Sequence, residues 1–162
     1  PAALLALEAR VEITGPAGER SVSFEEFVLD PFTTLLEPGE LVTAVIVDLE
    51  KEGVGTYYRK HAQPASGFPM VGAAARIGRT AGEIRFARIG VTGLAGKGFR
   101  SRVVEERLLG RAGTPAEIRE AVAVLTNGVE SNSDIHASAE YRAHLARVAA
   151  VRAIERALEA AA

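Results

Sequence analysis

The chain has 162 residues, a formal net charge of −2, 48% hydrophobic and 25% charged residues, the balance of a folded globular domain rather than a disordered segment. It contains no cysteine, which excludes disulfides, thiolate nucleophiles and cysteine-ligated clusters and places any iron–sulfur partner on another polypeptide. The near-balanced charge lacks the basic footprint of a nucleic-acid binder, and no apolar run reaches the roughly 20 residues that cross a bilayer.

The chain opens at Pro1, with Leu4, Leu5 and Leu7 close behind. It reads as if entered in mid-domain and is expected to be a fragment. Alternating Val11 and Ile13, the Gly15-Pro16-Ala17-Gly18 turn, and Val22 and Phe24 predict a β-hairpin. Ser23 and Glu26 have capping-box spacing, with Val22 and Phe27 placed as a hydrophobic staple for a short helix. That helix must stop near Asp30-Pro31, because the residue before a proline is pushed out of the helical region. After a turn at Glu37–Glu40, Leu41 to Val47 is β-branched and apolar enough for a strand buried on at least one face. Charge and glycine then interrupt the pattern, and a domain boundary is expected between Asp48 and Gly55.

Three strands are predicted next, at Thr56–Ala62, Met70–Ile77 and Glu83–Leu94, with connections too short for parallel crossovers. After Gly98 the apolar period changes from two to about 3.6, and three helices are expected. The first spans about Arg102 to Leu109 and ends at Gly110. The second opens at Thr114-Pro115-Ala116-Glu117, with an N-cap threonine, a proline at the first helical position and a glutamate completing the box; Ile118, Val122 and Leu125 form its buried stripe. The third begins near Ser138. Tyr141, Leu145, Val148, Val151, Ile154 and Leu158 are assigned to its apolar side, with Arg142, Arg147, Glu155 and Glu159 opposite. The fold class is therefore α+β: a three-stranded antiparallel meander packed with a three-helix bundle.

Few residues suggest chemistry. His61, His136 and His144 lack metal-site spacing. Ser133, Asp134 and His136 have the residue types of a triad but fall in one short segment, which reads as a polar loop capping the last helix. Gly93–Gly98 lies where a phosphate-cradling loop would sit between a strand and a helix, but it lacks the Lys-Ser/Thr ending of a nucleotide-triphosphate loop; a plain connection is the competing reading. The most unusual stretch is Tyr57–Met70, where aromatic rings, cations and a Gln-Pro-Ala-Ser-Gly bend lie between two strands. It suits either a flat ligand or an edge-packed turn.

Five segments in order, Phe32–Thr43, Tyr58-Arg59-Lys60, Pro64–Pro69, Arg88–Leu94 and Tyr141-Arg142, resemble the medium, FAD-carrying subunit of carbon monoxide dehydrogenase and xanthine dehydrogenase type molybdenum hydroxylases. The resemblance implies that residues 1–50 are the tail of the second FAD-binding subdomain and residues 51–162 a carboxyl-terminal flavoprotein domain. It implies partners as well: a large molybdenum subunit and a small subunit whose [2Fe–2S] clusters pass electrons to FAD and on to an external acceptor. A cytoplasmic location follows, free or at the inner face of the membrane. Three positions carry over as cofactor-binding. Val42 matches a leucine that packs near the flavin, Lys60 a lysine near the isoalloxazine ring, and Phe68 a position often held by a tyrosine over the ring face. Phenylalanine can stack but offers no hydroxyl. No catalytic or metal-binding residue is expected. The glycine-rich pyrophosphate segments of the family have no counterpart here, so FAD is expected on the full-length parent and not on this stretch alone. The competing functional readings are a structural or subunit-interaction domain without flavin contact, and a small-anion binder using Gly93–Gly98.

Overall fold

The computed structural model describes residues 1–49 and 52–161. Glu50 and Lys51, inside the span expected to divide the chain, lie outside the described residues, as does Ala162. The predicted hairpin forms from β1 (Arg10–Gly15) and β2 (Gly18–Ser23), closed by the Gly15–Gly18 pair. β5 (Leu41–Ile46) joins the other side of β1 in an antiparallel three-stranded sheet. The expectation of a buried face on β5 fails, because Leu41, Val42, Val45 and Ile46 are all exposed on this edge strand. Ser23 caps α2 (Phe24–Phe27) in a full capping box. This helix is only one turn long and ends before Asp30, since Val28–Asp30 becomes β3 and pairs with β4 (Thr33–Thr34).

The larger sheet is the predicted meander of β6 (Val54–Ala62), β7 (Pro69–Thr80) and β8 (Glu83–Thr92), with an unpredicted two-residue β9 (Phe99–Arg100) on its far edge. β7 runs three residues beyond the expected Ile77 because the turn is tighter than the glycine spacing suggested: Thr80 pairs with Glu83 across Ala81 and Gly82, which both adopt positive φ, as a two-residue hairpin turn demands. Strand periodicity then divides the side chains. Val71, Ala73, Ala75 and Ile77 of β7, with Ile89 and Val91 of β8, enter one core with Val104, Leu108, Ile118 and Ile154 of the helices. Ala74 faces the other way and packs with Ala2 and Ala6 of α1 (Ala2–Ala6), a helix that the sequence reading did not anticipate.

Helices α3 (Arg102–Leu108), α4 (Pro115–Val122) and α5 (Ala139–Ala160) follow the sheet as expected. Thr114 and Glu117 complete the α4 capping box, and Ile118, Val122 and Leu125 are buried. The expected orientation of α5 needs correction. Leu145, Ile154 and Leu158 are buried, but Tyr141 is exposed, Val148 and Val151 are half-buried, and Arg142 lies inside. The remaining buried stripe is small: Ala146, Ala149, Ala150, Ala153 and Ala157. Small residues let the helix axis approach the sheet, and Gly55 of β6 completes the fit. A Cβ at Gly55 would stand 2.6 Å from the Ala161 nitrogen and closer still to the Ala157 carbonyl oxygen.

One carboxylate ties the turn between α1 and β1 to the larger sheet. Glu8, itself in the left-handed region with φ 51°, pairs with Arg76 of β7, Arg88 of β8 and Arg100 of β9 at 3.2, 2.7 and 2.9 Å. Burial opposes its charge, but Arg88 and Arg100 outweigh that and lower the Glu8 pKa. Arg100 also clamps the buried Glu105, whose Oε1 accepts the Ile89 N–H.

Candidate functional site

The aromatic and cationic stretch forms the end of β6, the loop 63–68 and the start of β7. Tyr58 and Lys60 pair with Ala74 and Gly72, so they share the sheet face that α1 partly covers, opposite α5. Tyr58 lies against Gly72, where a Cβ would meet its ring, and burial raises its hydroxyl pKa. His61 belongs to the α5 face. Its pKa is lowered by burial and by the charges of Arg59 and Arg152.

The loop is bonded to itself. The Gln63 N–H donates to the Phe68 carbonyl and the Gly67 N–H to the Gln63 carbonyl, both at 2.8 Å. Gln63 Oε1 accepts from the Ser66 N–H and hydroxyl, and Ser66 Oγ accepts from the Phe68 N–H. Gly67 has φ +70°, a conformation in which any other residue would be strained. Lys60 Nζ reaches over the loop and donates to the Gly67 carbonyl at 3.1 Å. Among the described residues no carboxylate pairs with this ammonium. Phe68, at the end of the bend, is 75% exposed.

Lys60 and Phe68 are thus held at one loop, while Val42 sits apart on β5, paired with Ile13 in the other sheet. An exposed ring on a self-bonded loop, whose Gly67 carbonyl is bound by an ammonium, could meet a flat ligand that carries negative charge. The ring offers a stacking face, and the cation has donors left for an anion.

A further residue at this site was assigned to the wrong side of its helix. The Arg142 side chain is 7% exposed; it donates through Nη1 to the carbonyls of Met70 and Gly93 and through Nη2 to Asp134 at 2.6 Å. Asp134 Oδ1 accepts from the N–H groups of His136 and Ala137. Its carboxyl is held down to about 2, first by Arg142 and then by these backbone donors. The Ser133–His136 segment is therefore the polar loop ahead of α5 that was expected. Gly93–Gly98 leads into β9 and not directly into a helix. Its Lys97 donates to the Val28 carbonyl, and the carbonyls of Leu94 and Ala95 accept from Asn132. This is the pattern of a connection tied down by its neighbours.

The family described as "CO dehydrogenase flavoprotein C-terminal domain" matches residues 56–157, and "FAD binding domain in molybdopterin dehydrogenase" matches residues 1–48. The chain is 32% identical to the carbon monoxide dehydrogenase medium chain of Afipia carboxidovorans over 97% of its length, and 29% identical to that of Hydrogenophaga pseudoflava over 99%. It covers 54% and 55% of those proteins, about half the length of the curated relatives it matches. The same fold occurs in the CO dehydrogenase of Oligotropha carboxidovorans, with a TM-score of 0.93 and 31% identity over 99% of this chain and 56% of that one. It occurs again in quinoline 2-oxidoreductase from Pseudomonas putida 86, with a TM-score of 0.89 and 27% identity over 98% of this chain and 55% of that one. Among the described residues no helix is long and apolar enough to cross a membrane.

Proposed function

The chain belongs to the CO dehydrogenase flavoprotein family, and from that premise we propose that it supplies the ring end of the FAD site in the medium subunit of a molybdenum hydroxylase. When bound, FAD supplies the electron-carrying chemistry between the iron–sulfur clusters of a small partner subunit and an external acceptor; a large partner subunit holds the molybdenum. The residues of this chain bind and orient. Phe68 would offer an apolar face to the ring, and Lys60 would hold a fixed positive charge beside it, which favours added negative charge there. Val42 joins the proposed site by the family resemblance alone, since it lies on β5 of the other sheet. Residues 1–50 belong to the second FAD-binding subdomain and residues 51–162 to the carboxyl-terminal domain, and the enzyme is cytoplasmic. The exposed apolar residues of β5 support an assembly in which more protein covers that strand.

The observation that carries this reading is the pairing of an exposed Phe68 with a Lys60 that no carboxylate neutralises among the described residues. Its test is the flavin midpoint potential of the reconstituted full-length subunit. Lys60→Ala removes the cation and should make the potential more negative. An exposed charge contact of up to about 1 kcal/mol corresponds to roughly 20 mV for a two-electron couple. A potential that stays in place removes Lys60 from the site.

A further inference from the structure

We propose that Arg142 is a positioning residue for the flavin site: it fixes the foot of the loop that carries Phe68 and so sets where that ring stands. This inference rests on the reading that Phe68 meets the flavin. Loop 63–68 is closed by its own hydrogen bonds and tied to β6 through Lys60 at Gly67, so its internal shape is fixed and the placing of Phe68 depends on how the loop joins its two strands. On the β6 side the register slips between His61 and Ala62, so the strand ladder is irregular at the loop's base. The partner of Ala62 on the β7 side is Pro69, which has no N–H to give the ladder. Beyond the Gln63 N–H bond to its carbonyl, Phe68 is therefore followed by a stretch where the strand ladder is irregular.

Arg142 takes over at the following residue. Its Nη1 binds the Met70 carbonyl at 2.5 Å and the Gly93 carbonyl at 3.1 Å, joining the start of β7 to the residue that follows β8. The two backbones already pass closely: Gly93 has φ +77°, and a Cβ there would stand 2.5 Å from the Met70 oxygen. Asp134 fixes the other arm of the guanidinium, and the Asp134 carboxylate is fixed in turn by two backbone N–H groups. A planar fork can hold both carbonyls and the carboxylate at once, whereas an ammonium is a single point of charge on a flexible stem. The chain of contacts runs from the loop before α5, through Arg142, to Met70 and then to Phe68.

The test uses the full-length, FAD-loaded subunit with Arg142→Lys, and with Asp134→Asn as the milder variant should Arg142→Lys fail to fold. Phe68→Ala is the reference. Amide hydrogen exchange at Gly67, Phe68, Met70 and Val71 should speed up about tenfold, as expected when a charge-assisted anchor is weakened, while Ile77 and Ile89 in the sheet centre keep their rates. The flavin absorption band and midpoint potential should shift in the direction that Phe68→Ala shifts them. Unchanged exchange at the four amides overturns the anchoring role. Faster exchange with an unmoved flavin signal, where Phe68→Ala does move it, overturns the positioning role alone and leaves the site assignment standing. If Phe68→Ala itself leaves the flavin signal unmoved, the site assignment fails and this proposal fails with it.

Discussion

Gly55→Ala tests how closely α5 lies on the sheet. The added methyl would meet backbone atoms, with the Ala157 carbonyl oxygen nearest, the Ala161 nitrogen at 2.6 Å and the Ala160 carbonyl carbon at 2.9 Å. No rotamer change can relieve a clash with backbone, so the last turns of α5 must lift from β6 or β6 must bend. Forcing extra volume into a packed interface costs typically about 1–3 kcal/mol, and a backbone obstacle places this case at the upper end. For a chain of this size each kcal/mol lowers the melting temperature by roughly 2–4 °C, so a drop of about 6–12 °C is expected by calorimetry or circular dichroism. Thr56→Ala, one residue along on the opposite face and exposed, is the control and should change little. A Gly55→Ala protein melting with the wild type would refute the close-approach argument, because the helix would then have room to spare.

Three further outcomes follow from the same structure. Ile154→Ala, at a fully buried position facing the sheet, should cost roughly 2–5 kcal/mol in chemical denaturation, and a cost below about 1 kcal/mol would remove α5 from the core. Thr114→Ala deletes the α4 N-cap and should cost about 1 kcal/mol; an unaltered unfolding midpoint would argue against the cap. Asp134 and Glu40 both titrate at about 2 in the fold, below ordinary values of 3.8 and 4.5, because Arg142 and Arg20 respectively, helped by backbone N–H groups, hold them charged. A lowered folded-state pKa means that their stabilisation is complete above the ordinary value and is lost as pH falls towards 2. Melting temperature should therefore decline between pH 4.5 and 2, and Asp134→Asn should flatten part of that decline; the same slope in the variant would contradict the pairing.

Legibility from sequence followed the locality of each signal. The α4 start was readable because Thr114, Pro115 and Glu117 carry its capping chemistry within four positions, and the meander because its strands and turns are contiguous. Strand β9 is two residues long and takes its partners from Gly90 and Val91, so nothing within it announces a strand. In α5 the larger apolar residues drew the eye, yet the sheet selects the alanines that permit a close approach. Arg142 was assigned to solvent for the same reason, since the carbonyls that hold it are 72 and 49 residues away. Composition and spacing alone marked the Tyr57–Met70 stretch as unusual without choosing a ligand; the flavin reading came from the order of short segments that resemble the family. Even then Val42 could not be grouped with Lys60 and Phe68 by geometry, because they lie on different sheets.

The Glu8 clamp bears on the order in which this chain acquires its structure. Two of its arginine partners are 68 and 92 residues away, and all three lie on separate strands. None can be shared by one carboxylate until β7, β8 and β9 stand in register. Contacts of such separation demand the full loop-closure entropy before they return any energy. The clamp therefore requires three strands to be in place first, and a contact formed at that stage would do little to guide the chain towards the native state. Interactions formed that late act mainly on the rate of leaving that state, which would make Glu8 a kinetic lock between the α1–β1 turn and the larger sheet.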